Sequence, residues 1–343
     1  DPHSGISARH IEAMMAASYL VGMEAPGEPA LLSRVALDFA PPATSSSATA
    51  PLTFALHVAE RDTRFDLVRM EVAFEREGAA VANAAIDAYV RREPKVVDVA
   101  ALRRRETPSD RLQGKVALVV GASRGLGAAL SVALADQACE VGASFAKSAD
   151  AAARVAAAVP GRIALLPADA GDAHSFAPAA RAFAATHGGL DLLVCNACLP
   201  VSAVALHEAT VGRIAEYVER SFALAAVPLA ATLELLEQRK GMLVMISSSA
   251  VREPPPEWPH YVAAKGALEG LARTVAARGR VRVLIARPPR LDTDLMNTPG
   301  IPGDALAPEA VAAAIVGAVR AGFEVAPSRA PVVLEDFADF SEA

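Results

Sequence analysis

The chain has 343 residues and a mass of 35.4 kDa, too long for one ordinary domain and comfortable for two. With 53% hydrophobic and 21% charged residues it can bury a core, which excludes a disordered chain. A net charge of −6 argues against a general nucleic-acid binder, and no apolar run reaches the roughly 18 residues of a transmembrane helix. The opening Asp1-Pro2-His3-Ser4-Gly5 has no basic-then-apolar stretch, so no signal peptide is expected. The missing initiator Met points to a processed chain or a segment cut from a longer one. Three cysteines, Cys139, Cys195 and Cys198, exclude a disulfide scaffold and suit a reducing cytoplasm.

Composition changes near residue 94, which divides the chain into 1–93, a linker over 94–113 and a second domain over 114–343. In the first part Ile11, Met14, Met15, Ser18 and Tyr19 follow helical spacing, ended by Pro26-Gly27. Pro41-Pro42 through Ser47 reads as a mobile loop. Leu52, Phe54, Leu56 and Val58, then Val68, Met70, Val72 and Phe74, alternate with other residues as half-buried antiparallel strands do. Arg61-Asp62-Thr63 is the expected turn between them, and Ala79 to Arg91 a third strand. In the linker, the run Arg103-Arg104-Arg105 reads as a solvated connector, with docking to an acidic partner as the alternative.

From Lys115 apolar strands alternate with Ala-rich helices. The strands are expected at Val116–Val120, Val141–Phe145, Ile163–Leu166, Leu190–Val194, Met242–Ile246 and Val281–Ile285. Six strands with helical crossovers make a Rossmann-like α/β fold, a doubly wound parallel sheet with ligands at the carboxyl ends of the strands. After the first strand comes Gly121-Ala122-Ser123-Arg124-Gly125-Leu126-Gly127. A tight strand-to-helix turn needs Gly, a backbone without Cβ approaches a pyrophosphate closely, and the helix start supplies amide donors. A plain structural turn is the alternative. Only five of 33 basic residues are Lys, which gives weight to Lys265, four residues after Tyr261 and on the same helical face. An ammonium beside a phenol favours the phenolate, giving a proton donor or acceptor for neutral pH. Alone, such a pair is a common accident. Ser247-Ser248-Ser249 ends the strand Met242–Ile246 at the ligand edge, where a hydroxyl can bond a substrate carbonyl.

In this order the motifs resemble the short-chain dehydrogenase/reductase family over about 115–300. Gly121, Gly125 and Gly127 match the family's cofactor turn. Asp169 matches the acid near the adenine, and Cys195-Asn196-Ala197-Cys198 occupies the Asn-Asn-Ala-Gly segment. Ser248 lies 13 residues before Tyr261, the spacing of 3-oxoacyl-carrier-protein reductases. Pro288-Pro289-Arg290-Leu291-Asp292-Thr293 resembles the segment that closes over the nicotinamide. The resemblance implies that NAD(P)H gives a hydride to a carbonyl carbon while Tyr261 protonates the oxygen. Lys265 then holds the ribose and favours the Tyr261 phenolate, and Ser248 polarises the carbonyl. Three positions depart from the pattern. Ser221 stands where the family's catalytic Asn aligns, Cys198 where a Gly is usual, and Pro289 where another Gly is usual. A degenerate reductase kept as a scaffold is the non-enzymatic alternative.

The expected cofactor contacts are Gly121, Ser123, Arg124, Gly125, Leu126, Gly127, Ser144, Lys147, Asp169, Asn196, Ala197, Tyr261, Lys265, Pro288 and Thr293. The end of the second strand, Val141 to Ser148, carries no acid for a ribose 2′-hydroxyl. Arg124 and Lys147 could instead meet a 2′-phosphate, which favours NADPH over NADH; ordinary surface cations are the alternative. Cys195-x-x-Cys198 is not read as a redox pair or zinc site, since no His pair sits at ligand spacing and no metal is expected. Pro254 to His260, with the only Trp, is either a substrate-contact loop or a rigid loop packed by Trp258; His260 is given no catalytic role.

Ser18 to Gly27, a helix running into strands, resembles the MaoC-like hotdog family of hydratases and dehydratases over about 7–92. The family's catalytic Gly-Asp-x-Asn-Pro-x-His segment is absent, so no role passes to Asp1, His3 or His10. The first part is therefore expected to be a non-catalytic hotdog-like module for dimerisation or acyl docking. A truncated subdomain of the kind preceding polyketide ketoreductases is the runner-up. The pairing implies polyketide- or fatty-acid-type assembly. The expected reaction is NADPH-dependent reduction of a 3-oxoacyl thioester on an acyl carrier protein, by a cytoplasmic homodimer. A reductase of a free small ketone or alcohol is the second enzymatic reading.

Overall fold

A computed structural model of the chain describes residues 8–27, 30–41, 50–62, 66–90, 95–293, 295 and 305–337. The chain divides into two compact units, one of residues 1–93 with 297–303 and one of 94–296 with 304–343.

The first unit begins with helix α1 (Ala8–Tyr19), continued by a wider turn over Leu20–Glu24. Four antiparallel strands follow, β1 (Ala30–Phe39), β2 (Thr53–Asp62), β3 (Leu67–Arg76) and β4 (Ala79–Val90), ordered β1-β4-β3-β2. The period-two alternation fixes which face is covered: Val68, Met70, Val72 and Phe74 of β3 are buried with Ala13, Ala17, Leu20 and Val21. Arg76, itself buried, pairs with Glu12 of α1. Strand β1 is absent from the sequence expectation, although Val35, Leu37 and Phe39 alternate with Ala36 and Asp38. It is an edge strand with no fully buried residue, so its apolar signal is weak. Arg61 and Asp62 of the expected turn are instead the last residues of β2, extended by pairing with β3; Thr63, and the expected mobile loop apart from Pro41, lie outside the described residues.

The stretch expected as a solvated linker is instead folded onto the second unit. Asp98 caps helix α2 (Val99–Arg105) by accepting from the Ala101 N–H at 2.8 Å. Leu102 and Leu112 are buried in the core. Arg103 reaches Asp136 through two nitrogens, each at 2.8 Å. The basic run hid an amphipathic turn: Leu102 faces inward and the arginines face outward.

The rest alternates strand and helix: β5 (Val116–Val120), α3 (Gly125–Asp136), β6 (Glu140–Phe145), α4 (Ala149–Ala158), β7 (Ile163–Pro167), α5 (Ala173–Thr186) and β8 (Leu192–Cys195). Then come α6 (Val211–Gln238), β9 (Met242–Ile246), α7 (Pro259–Ala277), β10 (Arg282–Ala286), α8 (Pro308–Phe323) and β11 (Val332–Leu334). The described parallel sheet has seven strands, ordered β11-β10-β9-β8-β5-β6-β7. Sequence reading gives six, because β11 has three residues with two exposed and offers no apolar run. β5 is buried on both faces. Ala117 and Val119 join the core under α3 and α8, while Val116, Leu118 and Val120 join the core under α5, α6 and α7. Strand order reverses between β5 and β8, and that switch point places the ligand crevice at their carboxyl ends. No helix among the described residues is long and apolar enough to cross a membrane.

Leu102→Ala is expected to cost about 2–5 kcal/mol in a denaturant titration, as for a buried Leu leaving a cavity, whereas exposed Arg104→Ala changes stability by less than about 0.5 kcal/mol. Equal effects would mean that the α2 segment is not part of the core.

Candidate active site

A cavity of about 790 Å³ opens at the carboxyl ends of β5, β6, β8 and β9. It gathers nearly all of the residues expected from the sequence. At one end stand Gly121, Ser123, Arg124, Gly125 and Leu126, with Ser144, Lys147 and Asp169 beyond them. Asn196 and Ala197 lie between, and Ser248, Tyr261, Lys265, Pro288 and Thr293 line the other end.

The glycine turn is required by its own neighbours. Gly121 has φ +75°, and a Cβ there would lie 2.8 Å from Ala197 Cα. Gly127 does not line the cavity. A Cβ on it would overlap the Gly121 carbonyl and come within 2.5 Å of Asn196 Nδ2. The Asn196 amide donates to the Gly121 carbonyl oxygen at 3.0 Å, so it holds the turn as well as facing the cavity.

The site fits a dinucleotide on its own geometry. The start of α3 has no side-chain cap, so its first amides are left to an anion. Ser144 Oγ is buried without a partner at the same end. Arg124 and Lys147 are exposed, and neither has an ion-pair partner among the described residues. Asp169 accepts from the Gly171 N–H at 2.9 Å through one carboxylate oxygen, leaving the other to a ligand. Among the described residues no group of three His, Cys, Asp or Glu is placed to hold a metal ion.

At the other end Lys265 is 4% exposed and donates from Nζ to the Ile246 carbonyl oxygen at 2.8 Å. Its Nζ lies 5.6 Å from the Tyr261 ring centroid. Burial pushes the Lys265 ammonium down, but the negative charge that Cys198 and Tyr261 carry when ionised outweighs it and leaves its pKa raised. Ser248 Oγ accepts from the Ala250 N–H at 3.2 Å, which leaves its O–H to donate. Trp258 meets Tyr261 edge-on at 6.2 Å and lines the cavity, so it belongs to the site and not only to the loop's packing. Cys195 is buried in the core, its thiol pushed up to about 12 by burial, whereas Cys198 lines the cavity.

Ser221 is the exception among the expected residues. It is 6% exposed but does not line the cavity, and its Oγ has no hydrogen-bond partner. A Ser reaches one atom less far than an Asn. Tyr217, one turn earlier on α6, lies near Ser221 outside bonding geometry and donates to the Leu199 carbonyl oxygen at 3.2 Å. Burial, and then the Cys198 thiol and Tyr261, push the Tyr217 phenol well above its ordinary range, so it remains a donor. The His260 ring packs edge-on against Tyr217 at 4.4 Å. Sequence reading missed Tyr217, whose signal was its place one turn before Ser221 on the same face.

Fold and site together define a dinucleotide-binding α/β protein with a Ser-Tyr-Lys constellation. The family model described as short chain dehydrogenase matches residues 115–300, and the chain belongs to that family. It is an oxidoreductase of the short-chain type. An uncharacterized oxidoreductase from Methylorubrum extorquens is 30% identical over 202 residues, covering 56% of this chain and 79% of that one. A solved short chain dehydrogenase from Burkholderia cenocepacia in complex with NADP is 28% identical with TM-score 0.57, covering 66% of this chain and 98% of that one. A solved alcohol dehydrogenase from the archaeon Thermococcus sibiricus, complexed with 5-hydroxy-NADP, is 25% identical with TM-score 0.58, over 67% and 98%.

Two outcomes follow from this geometry. Gly127→Ala is expected to weaken dinucleotide binding by more than about tenfold, read as quenching of the Trp258 fluorescence; unchanged quenching would show that the turn tolerates a Cβ. His260 is 2% exposed, and burial followed by the Arg213 charge lowers its pKa. The folded protein therefore takes up this proton less readily than the unfolded chain. Stability is lost as pH falls below the ordinary His value of about 6.5. Unfolding midpoints between about pH 7 and pH 5 are expected to drop less for His260→Phe than for the parent protein.

Proposed function

We propose that the protein is an NADPH-dependent ketoreductase that converts a 3-oxoacyl thioester, presented by an acyl carrier protein, to its 3-hydroxyacyl form. The observation that carries this reading is one cavity with the glycine turn at one end and Ser248, Tyr261 and Lys265 at the other. The lining includes the apolar side chains of Leu199, Val201, Pro255, Trp258 and Leu295, which suit an acyl chain. The NADP and NADP derivative named for the two solved relatives support a nicotinamide cofactor here.

In this reading the first amides of α3 and Ser123 hold the pyrophosphate, with Gly121, Gly125 and Leu126 giving it room. Arg124 and Lys147 pair with the 2′-phosphate, Ser144 bonds the adenosine side, and Asp169 takes the adenine amine. Asn196 and Ala197 would flank the ribose, Lys265 would donate to the nicotinamide ribose, and Pro288 and Thr293 would hold the nicotinamide end. The bound nicotinamide supplies the hydride. Ser248 donates its O–H to the substrate carbonyl oxygen, and Tyr261 Oη passes its proton to the same atom. Lys265 stabilises the phenolate this leaves; Ser221, at the position of the family's relay Asn, is buried off the cavity. Acid and polarising hydroxyl converge on one oxygen, so orientation supplies much of the rate.

The first unit is, in this reading, a non-catalytic hotdog-like module for dimerisation or acyl docking. Helix α1 against one face of an antiparallel sheet supports it. Three cysteines with no disulfide among them support a cytoplasmic setting.

The test mixes protein, NADPH and an acetoacetyl thioester and follows absorbance loss, with NADH in parallel. Turnover preferring NADPH is expected, and NADPH binding without turnover of free or carrier-bound thioester overturns the substrate class. Tyr261→Phe is expected to lower kcat by at least about 100-fold with NADPH binding retained. Arg124→Ala or Lys147→Ala is expected to reduce the NADPH preference by about tenfold, the worth of one charge-assisted bond.

A further inference from the structure

A buried charged cluster stands directly behind the site. Glu269, 1% exposed, lies on α7 four residues after Lys265, one turn along the same face. It accepts from Ser247 Oγ at 2.7 Å and from Arg287 through Nε and Nη2 at 2.8 and 2.7 Å. Arg287 also donates to Glu335 at 3.0 Å, which takes Arg252 at 2.6 Å. Burial pushes the Glu269 carboxyl up, but the Arg287 and Ser247 bonds outweigh it and hold it below the usual range. Neither Glu269 nor Arg287 lines the cavity.

The members come from the segments that carry the site. Ser247 sits between Ile246, whose carbonyl holds Lys265 Nζ, and Ser248. Arg287 sits between Ala286, whose carbonyl takes the Ser247 N–H at 2.7 Å, and Pro288, whose carbonyl takes the Ser249 N–H at 2.9 Å. Two ties thus join α7 to the end of β9: Lys265 to Ile246, and Glu269 to Ser247 about 6 Å further along the helix. Apolar packing of Leu268, Ala272 and Val275 holds α7 to the sheet, and the two ties add fixed polar points beside the site. Two bonds from one guanidinium to one carboxylate also fix orientation, which apolar contact does not. Stability alone does not call for such a pair, since an apolar pair of similar volume is often as stable.

We propose that Glu269 and Arg287 are a positioning pair that locks α7 to the ends of β9 and β10 and so sets where the Ser248 hydroxyl stands relative to Tyr261. The proposal rests on reading the site as a carbonyl reductase. It asks whether the pair acts on geometry or only on stability.

The test compares the parent with Glu269→Met/Arg287→Met, which removes both charges together, and with Arg287→Lys, which keeps the charge and loses the fork. The readouts are unfolding midpoint, NADPH binding by Trp258 fluorescence, kcat and KM for the carbonyl, and hydrogen exchange of 247–252. The double variant is expected to keep an unfolding midpoint near the parent's and NADPH affinity within about threefold, with kcat down about 10–100-fold, KM moved less, and exchange of 247–252 faster. Arg287→Lys is expected to lower kcat as well, although its charge is intact. A folded double variant with kcat within about threefold of the parent overturns the proposal. If the double variant does not fold, Arg287→Lys at the parent's kcat overturns it. If the parent reduces no carbonyl with NADPH, the reductase reading is what fails. Exchange of 247–252 in Arg287→Lys then decides the positioning role, and unchanged protection overturns it.

Discussion

The cofactor end of this protein depends on how closely two stretches of backbone pass. The first turn of α3 runs so near the Gly121 carbonyl that position 127 has no room for a Cβ, and Gly121 itself presses on Ala197. Asn196 completes the contact by donating its amide to the Gly121 oxygen. β5 and β8 must therefore be neighbours for the turn to exist, and they are paired in parallel up to Val120 and Cys195. The strand order that creates the crevice and the turn that binds in it are the same constraint, met at the switch point of the sheet. The uncapped start of α3 then faces the crevice, with its amide dipoles already oriented.

This explains why so much of the second unit was legible in the sequence. A strand buried on both faces reads as an unbroken apolar run, so β5 and β9 are visible within a residue or so. A turn with no space for side chains must show its glycines. A Tyr and a Lys on one helical face need a fixed spacing of four. What stayed illegible lacks such a constraint. Strand β11 is short and half solvated, and β1 is an edge with polar residues on both sides. Helix α2 buries one Leu among arginines, and charge masked its amphipathicity. The Glu269–Arg287 contact joins residues 18 apart, and sequence shows only that Glu269 follows Lys265 by four.

Two of the three departures from the family pattern, Cys198 and Ser221, are linked through Tyr217. Cys198 lines the cavity where a Gly is usual, and Leu199, its neighbour, accepts the Tyr217 hydroxyl. Ser221, shorter than the Asn it replaces, lies near that phenol without a bond to it. A phenol whose pKa is raised keeps its proton, so Tyr217 is a steady donor to backbone and not a competitor for the proton that Tyr261 handles. Pro289 lines the cavity next to Pro288, whose carbonyl accepts the Ser249 N–H.

Two of the buried charges stand one turn apart on α7 and are satisfied in opposite ways. Lys265 is an ammonium with one carbonyl partner, and the electrostatic pull of Cys198 and Tyr261 offsets its desolvation. A charge so thinly satisfied is held by geometry that must not drift, because loss of the Ile246 oxygen would leave it with no hydrogen-bond acceptor. Glu269, one turn on, has the opposite arrangement: Ser247, Arg273 and Arg287 all reach its two oxygens. A many-partnered anion and a single-partnered cation thus stand one turn apart on α7, and the anion ties that turn to the segments after β9 and β10, which carry Ser248 and Pro288.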